Sequence, residues 1–252
     1  MLVMTRTAFR DGRQYLLLEA GTKGLREDRV IGMRRLGLEP ELRGFVNEFG
    51  LKLAETAKED SDHSYIDNIN WKQAISLPFA LRAEALTLPE FWGVYRTLEE
   101  GMNGRRVYNG LGKKVNERQI RVWHDEWFGK RGPQRGVWID ALFFEKNGAL
   151  YIKQNHRIRE DGLLVAGMSA KLKKHCEISW GLIDISSVNE QGLWTRISDE
   201  GKIYGYSPVK NSVAWFYANS GGAGLGCDGD PTYSDSSLGV IASATREHAP
   251  FL

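Results

Sequence analysis

The stretch VAWFYANSGGAGLGCDGDPTYSDSSLGV, residues 213–240, contains two interleaved sets of residues. In its first eight residues, small or apolar side chains alternate with larger ones, which predicts a β-strand with two different faces. Phe216 and Ala218 lie on one predicted face, and Trp215 and Tyr217 lie on the other. The first set continues as a regular frame and comprises Val213, Phe216, Ala218, Ser220, Ala223, Leu225, Cys227, Pro231, Ser234, Leu238, Gly239 and Val240.

The second set lacks the charges that a solvent-facing strand usually carries. Between Asn211 and Thr245 there is no Lys or Arg, and Asp228, Asp230 and Asp235 are the only acids. A row of Trp, Tyr and Asn beside a loop of Gly, Ser and Asp is typical of recognition surfaces, where rigid aromatics supply contact area and small polar residues supply hydrogen bonds. Composition alone favours a recognition surface and an ordinary strand–loop–strand segment equally.

Upstream segments predict helices followed by strands. Helical patterns cover residues 40–57, 87–101 and 116–127. The first is followed by a polar loop over 58–68. The second begins with a capping box formed by Thr87 and Glu90, and the third begins at Asn116 with Gln119. Beyond Gly136 the period falls to two, and Asn147-Gly148 predicts a type I′ hairpin turn. Weaker strand patterns cover residues 13–19, 30–34, 176–185 and 203–206. The sequence therefore predicts the α+β class.

Bulk composition narrows the classes of partner. The chain has 252 residues, of which 42% are hydrophobic and 26% charged, as in ordinary globular domains. The formal net charge of +2 is too small to indicate nucleic acid or an anionic membrane as the main partner. The first residues lack the apolar core of a signal peptide, and no apolar run is long enough to span a bilayer. We expect a soluble chain without nucleic-acid binding or membrane insertion.

No motif assembles a catalytic or metal site. The five His are scattered, and none pairs with another at ligand spacing. The Asp residues of 228–235 do not follow the spacing of an EF-hand loop, and residues 221–226 have the glycines of a phosphate loop without its Lys and Ser/Thr. Cys176 and Cys227 indicate free thiols, with a single disulfide as the alternative. We expect a protein that is not an enzyme and that has no catalytic residue, metal or cofactor.

The frame of residues 211–242 carries a resemblance to a known family. It reads N-S-V-A-x-F-x-A-x-S-x-x-A-x-L-x-C-x-x-x-P-x-x-S-x-S-x-L-G-V-x-A and resembles the C-terminal variable region of diversity-generating-retroelement variable proteins, with archaeal and gut-microbial relatives. Earlier segments are similar to scaffold segments of that family: LPEF (88–91), VYNGLGKK (107–114), RGVWIDA (135–141), LYIKQNHR (150–157) and QGLWTR (191–196). The resemblance covers residues 70–245 and is much weaker over 1–69.

The resemblance implies a C-type lectin-like fold, with irregular antiparallel sheets and flanking helices, over residues 70–252, and an N-terminal segment, 1–69, packed on that core. It implies a variable region, 211–245, diversified by adenine-directed mutagenic retrohoming. Mutated AAC-type codons yield the Asn, Tyr, Asp, Gly and Ser found there, and Trp215 fits an AGG-type codon. The implied ligand-binding positions are Trp215, Tyr217, Asn219, Gly221, Gly222, Gly224, Gly226, Asp228, Gly229, Asp230, Tyr233 and Asp235. For Cys227, Ser237 and Ile241, the resemblance does not decide whether the position is variable or part of the scaffold.

The implied ligand is a protein or another cell-surface molecule, and the three Asp favour a partner with basic character. Display on a cell or virion surface would suit this role, although the sequence leaves the localisation open. A scaffold that tolerates many side chains at its display positions cannot depend on them for its core. We therefore expect Phe216, Leu225, Leu238 and Val240 to be buried and the interleaved positions to be exposed.

Two alternatives remain open at this point. A calcium-dependent carbohydrate-binding lectin of the same fold is disfavoured because neither an E-P-N nor a W-N-D type sugar motif is present where it would be needed. A thiol-dependent oxidase like the formylglycine-generating enzymes is disfavoured because it needs closely spaced catalytic cysteines, whereas Cys176 and Cys227 are far apart in sequence.

Overall fold

The computed structural model describes residues 14–21, 25–37, 42, 57–60, 63–66, 68–130, 134–159 and 161–248. Within them, helices combine with mostly antiparallel sheets, so the predicted α+β class is confirmed. The α-helices are α1 (Trp71–Ser76), α2 (Leu88–Met102) and α3 (Glu117–Phe128). The strands are β1 (Tyr15–Leu18), β2 (Arg29–Gly32), β3 (Ala57–Asp60), β4 (His63–Ile66), β5 (Glu84–Ala85), β6 (Arg135–Lys146), β7 (Ala149–Ile158), β8 (Leu164–Lys171), β9 (Gly181–Leu182), β10 (Ile203–Tyr206), β11 (Ser212–Asn219), β12 (Gly222–Gly229), β13 (Leu238–Gly239) and β14 (Ala242–Thr245).

Helices α2 and α3 begin where the sequence predicts. The backbone N–H of Thr87 donates to Glu90 Oε2 at 2.7 Å, as expected of a capping box. At α3 the Asn116 side chain accepts a hydrogen bond from the backbone N–H of Gln119 at 2.8 Å. These caps occupy polar groups that the first turn of a helix leaves unpaired, so the local sequence is sufficient to define both starts.

The main sheet has the strand order β8-β7-β6-β11-β12-β10-β9, and β13 also pairs with β6. Strands β6 and β7 form the predicted hairpin, in which Asn147 and Gly148 have φ angles of 54° and 72°. Positive φ at both central residues is what a type I′ turn requires. Strand β12 lies between β11, which is antiparallel to it, and β10, which is parallel.

One face of the main sheet packs against α2 and α3. The ring of Phe216 in β11 lies 4.8 Å from that of Phe91 and 5.4 Å from that of Phe128, and all three are buried. Burial of each such side chain contributes about 1.5–3 kcal/mol. Alternate residues of β6 and β11 point into this core, as the period of two predicts.

The opposite face of the main sheet is covered over β6 by a second apolar cluster around α1. Trp71 and Trp138 are both buried, and their indole N–H groups donate to the carbonyl oxygens of Ile139 and Ile69 at 2.9 and 2.8 Å. Farther along the same face, Tyr204 and Tyr206 of β10 are half-buried and Asp228 of β12 is exposed. The sheet therefore has one closed face and one face that is closed over only part of its width.

A second sheet, ordered β1-β2-β14-β5, brings an early strand beside the last one. Arg29 in β2 is buried and donates to Glu90 Oε1 at 2.6 Å, to Glu84 Oε2 at 2.8 Å and to Ser243 Oγ at 2.9 Å. These three partners belong to α2, β5 and β14. One side chain of the N-terminal segment thus joins elements from two distant parts of the sequence, residues 84–90 and residue 243.

Several predictions of secondary structure are wrong. The polar loop over residues 58–68 contains the β3–β4 hairpin, and the Gly/Ser/Asp loop after β11 contains β12. Of the strand predicted over 176–185, β9 alone forms, while α1, β8 and β14 were not predicted. The helix predicted over 40–57 lies outside the described residues, apart from Leu42 and from Ala57, which begins β3. Glycine disfavours strands, and β12 forms because both neighbouring strands pair with it.

Candidate functional site

The open part of the main sheet is built by β10, β11 and β12. In β11, Ala214, Phe216 and Ala218 are buried, whereas Trp215 and Tyr217 are half-buried on the opposite face. The predicted frame residues Leu225, Leu238 and Val240 are also fully buried. The predicted burial of Phe216, Leu225, Leu238 and Val240 is therefore confirmed.

The strand register arranges the open face in rows. In the first row, Trp215 of β11 pairs with Gly226 of β12, which pairs with Tyr206 of β10. In the second row, Tyr217 pairs with Gly224, which pairs with Tyr204. Paired residues on adjacent strands project to the same face of a sheet. Each row therefore consists of a glycine between two aromatic side chains.

The aromatic rings occupy the space above the glycines. A Cβ atom at Gly224 would lie 2.5 Å from Cζ of Tyr217, and one at Gly226 would collide with the indole nitrogen of Trp215. Gly222 lies beneath the ring of Tyr204. Gly222, Gly224 and Gly226 are consequently buried, so the prediction that these three positions are exposed is wrong. They are covered by side chains of the same surface.

Two further contacts extend this surface beyond the predicted variable region. The ring of Trp180 stacks on that of Tyr204 at 4.3 Å and meets that of Tyr206 edge-on at 5.2 Å. On the β11 side, Trp215 stacks on Tyr217 at 5.1 Å. We call these five residues the aromatic platform. Sequence reasoning missed its β10 side, although the alternation in IYGY (203–206) was a signal that Tyr204 and Tyr206 share a face.

The aromatic platform lies in the field of a carboxylate. Asp228 is exposed, and its Oδ1 and the indole ring of Trp215 both lie close to the space that a Cβ atom at Gly226 would occupy. Desolvation, and after it the charge of Asp228, raises the pKa of Tyr206. Desolvation also raises the pKa of Tyr217, with contributions from neighbouring Tyr206 and from Asp228. Both phenols are therefore neutral at physiological pH, and the platform has acidic surroundings on the Asp228 side.

The remaining predicted site residues lie in turns. The Asn219 side chain accepts from the backbone N–H of Gly221 at 2.8 Å, and Gly221 is exposed. Asp230 accepts from the backbone N–H and the hydroxyl of Thr232 at 2.8 and 2.7 Å, and these bonds lower its pKa. Such side-chain bonds to nearby backbone define the turns locally. Asn219 is half-buried, and Gly229 is half-buried next to the Trp215 ring.

Tyr233 and Asp235 lie in the segment that connects β12 to β13. The Tyr233 hydroxyl donates to Asp235 Oδ2 at 2.9 Å, and this hydrogen bond raises the pKa of Tyr233, which is 51% exposed. Asp235 also accepts from the backbone N–H of Ser237 at 2.7 Å. The strand register does not place Tyr233, Asp235 or Asp230 in the rows of the aromatic platform. The predicted ligand-binding positions therefore fall into two groups, one on strands β11 and β12 and one in the loops.

Other ionisable groups form structural pairs. In the part of the chain that the structure describes, no three His, Cys, Asp or Glu side chains gather closely enough to hold a metal ion. The buried carboxylate of Asp140 accepts from both the backbone and the ring of His156, joining β6 to β7. Cys227 is buried, which raises the pKa of its thiol well above the usual value, and Cys176 is also a free thiol. A buried neutral thiol is a poor nucleophile.

A cleft of about 540 Å³ separates α2 and α3 from the start of β10. Glu99 lies in it and accepts from the Tyr95 hydroxyl at 3.0 Å and from Lys202 Nζ at 3.0 Å, with His124 Nε2 at 3.2 Å. Burial alone would raise the pKa of the Glu99 carboxyl, but the hydrogen bonds from Lys202, Tyr95 and His124 together lower it. Glu99 thus joins Tyr95, His124 and Lys202 in one hydrogen-bonded group within this cleft.

Comparisons with known proteins identify no relative of this chain, so the site is interpreted from its own geometry. No protein-family model matches the chain, and neither the curated proteins nor the solved structures include a match. Among the helices of the described residues, none combines the length and the apolar character that crossing a membrane requires.

Proposed function

We propose that this protein is a ligand-recognition protein: a C-type lectin-like scaffold that displays a site diversified by adenine-directed mutagenic retrohoming. The observation that carries the proposal is the arrangement of β11 and β12. Their frame residues are buried in the core, while Trp215 and Tyr217 are half-buried on the opposite face, above Gly226 and Gly224, and Asp228 is exposed beside them. The ligand is a protein or another cell-surface molecule with basic character.

The energetics of the two sets support this function. Phe216, Leu225 and Leu238 are at most 3% exposed, and truncation of a buried side chain of this size costs about 2–5 kcal/mol. Changes at exposed positions such as Tyr233 usually alter stability by less than about 0.5 kcal/mol. Selection can therefore act on the exposed positions of the ligand-facing set with little effect on folding.

The chemistry of the surface also supports recognition. Tyr and Trp present large, rigid side chains with few rotatable bonds, so their contacts with a partner cost little conformational entropy. Such residues dominate the binding energy of protein interfaces. Two of them, Trp215 and Tyr217, lie side by side on the open face.

The test compares two libraries of this chain displayed on phage or yeast. In the first, Tyr217, Asn219 and Tyr233 are randomised together; in the matched control, Phe216, Leu225 and Leu238 are randomised. We expect most members of the first library to be folded, as measured by protease resistance, and selection against unrelated protein targets to yield binders. We expect the control library to be largely unfolded. Equal protease sensitivity of the two libraries would contradict the proposal.

A genomic observation tests the origin of the diversity. We expect a reverse-transcriptase gene near the gene of this chain, together with a template repeat that differs from the codons of residues 213–242 mainly at adenines. A neighbourhood without either element contradicts diversification by retrohoming. Titration calorimetry with Ca²⁺ and simple glycans separates this function from that of a calcium-dependent lectin, for which saturable binding would require the metal.

A further inference from the structure

Three residues of the aromatic platform lie outside the predicted variable region. Trp180 precedes β9, and Tyr204 and Tyr206 belong to β10. Trp180 is 54% exposed although it stacks on Tyr204. Two rings that support each other hold their outer faces in a defined orientation, which is the preorganisation that reduces the entropic cost of binding. We call these three residues the fixed part of the aromatic platform.

The charges around the platform favour a cation. Asp228 is exposed beside Trp215, and Glu177 is exposed three residues before Trp180. Residues 211–245 contain no Lys or Arg. Lys202, which directly precedes β10 and lines the same cleft as Tyr204, is paired with Glu99 at 3.0 Å. The face of an aromatic ring attracts cations, and an adjacent carboxylate adds to this attraction.

The main sheet already contains one contact of this kind. Near the tip of the β6–β7 hairpin, Lys153 Nζ lies 4.6 Å above the ring of Phe144, which also contacts Tyr151. The Phe144–Tyr151 pair therefore already has a cation of the same chain, Lys153, in contact with one of its rings. No contact of a Lys or Arg with the rings of Trp180, Tyr204 or Tyr206 is found among the described residues.

We propose that Trp180, Tyr204 and Tyr206 are a fixed part of the recognition site and that they bind an arginine side chain of a protein partner, with Asp228 as the counter-charge. The inference rests on the proposed function. Arginine fits better than lysine because its planar guanidinium stacks on aromatic rings and can also donate to a carboxylate. The variable set would then select among partners that share an exposed arginine.

The test uses a defined probe. A peptide of alternating glycine and arginine is titrated into the full chain at low ionic strength, and its binding is compared with that of a peptide in which neutral citrulline replaces arginine. We expect the arginine peptide to bind at least about tenfold more tightly, which corresponds to about 1.4 kcal/mol. We expect added salt to weaken its binding because the Asp228 contribution is screened.

Variants locate the peptide on the platform. Trp180→Ala and Asp228→Asn are each expected to weaken arginine-peptide binding about tenfold or more, with an unchanged melting temperature because both residues are exposed. The matched controls are Tyr151→Ala and Glu145→Gln near the β6–β7 hairpin tip, which should leave binding unchanged.

Several results would overturn the inference. They are the absence of arginine-peptide binding at millimolar concentration, equal binding of the citrulline peptide, preferential binding of neutral glycans, and equal effects of the platform and control variants. The display libraries report on the proposed function separately. If they yield folded binders whose affinity is unaffected by Trp180→Ala, the proposed function stands and the fixed arginine site is wrong.

Discussion

At the scale of single residues, Leu238 and Tyr233 illustrate two kinds of position only five residues apart. Leu238 is fully buried, and its Cδ2 atom fills the space above Gly136, where a Cβ would lie 2.6 Å from it. Tyr233 is 51% exposed, and its main polar contact is the hydrogen bond to Asp235. Sequence proximity therefore says little about the energetic role of a residue in this segment.

We predict that Leu238→Ala lowers the free energy of unfolding by about 2–5 kcal/mol because it leaves a cavity beside β6. Tyr233→Ala is expected to change it by less than about 0.5 kcal/mol. Urea unfolding followed by circular dichroism measures both values. Similar losses for the two variants would show that the frame and the ligand-facing set are not separated in energy.

At the scale of elements, β11 and β12 are coupled through their outward-facing positions. The ring of Tyr217 occupies the space that a side chain at Gly224 would need. Gly224 does not have a positive φ, so the ring and not the backbone restricts this position. The identities of residues 217 and 224 therefore depend on each other, as do those of residues 215 and 226.

We predict that the sign of the Gly224→Ala effect depends on residue 217. In the natural chain this change is expected to destabilise by about 1 kcal/mol because the Tyr217 ring must move. In a Tyr217→Ala background the added methyl group is expected to stabilise by about 0.5–1 kcal/mol, since Ala is preferred to Gly in a strand. A double-mutant cycle by urea unfolding gives the coupling energy. Additive effects would contradict the packing of the ring on the glycine.

The elements that could be predicted from sequence are those with local signals. The hairpin turn at Asn147-Gly148 and the caps at Thr87 and Asn116 depend on residues close to each other in the chain, and all three are confirmed. Strand β12 could not be predicted because its glycines carry no strand preference of their own. Its formation depends on β10 and β11, which pair with it on both sides.

The same distinction explains which parts of the candidate site could be predicted. Trp215 and Tyr217 can be predicted because they alternate with frame residues in one strand. Trp180 has no such pattern around it, and only the pairing of β9 with β10 brings it to Tyr204 and Tyr206. The exposure of Gly222, Gly224 and Gly226 was wrongly predicted because the rings that cover them belong to neighbouring strands.

At the scale of the whole molecule, Arg29 connects the early chain to α2, β5 and β14. We predict that Arg29→Ala lowers the free energy of unfolding by about 3–5 kcal/mol, because Glu90 would remain buried without its cationic partner. The matched control is Arg157→Ala, which removes an exposed partner of Glu84 and is expected to cost less than about 1 kcal/mol. Equal effects would show that the buried network does not stabilise the fold.

The cleft between the helices and β10 predicts a specific pH dependence. The pKa of Glu99 is lowered below its ordinary value of 4.5, so the folded state holds this carboxylate ionised more strongly than the unfolded state does. Its contribution to stability is therefore complete above that ordinary value and is lost as the pH falls through the lower folded-state pKa. Its hydrogen-bond donors are Lys202, Tyr95 and His124.

We predict that Glu99→Gln reduces the free energy of unfolding near neutral pH and that the difference from the natural chain shrinks as the solution is acidified below about pH 4.5. Urea unfolding at a series of pH values measures this difference. Glu117→Gln, at an exposed pair with Arg121, is the control and should show little effect at any pH. Parallel curves for Glu99→Gln and the natural chain would contradict the role of this carboxylate.

Strand β14 lies between β2 and β5, and it is made after all the outward-facing residues of β11 and β12. The ribosome therefore releases the last strand of this sheet only when the whole preceding segment has been translated. A nonsense or frameshift mutation before Ala242 removes the strand that joins β2 to β5 and leaves their edges open to aggregation and proteolysis. Chains with a disrupted reading frame before Ala242 are therefore expected to be degraded more readily than the full-length chain.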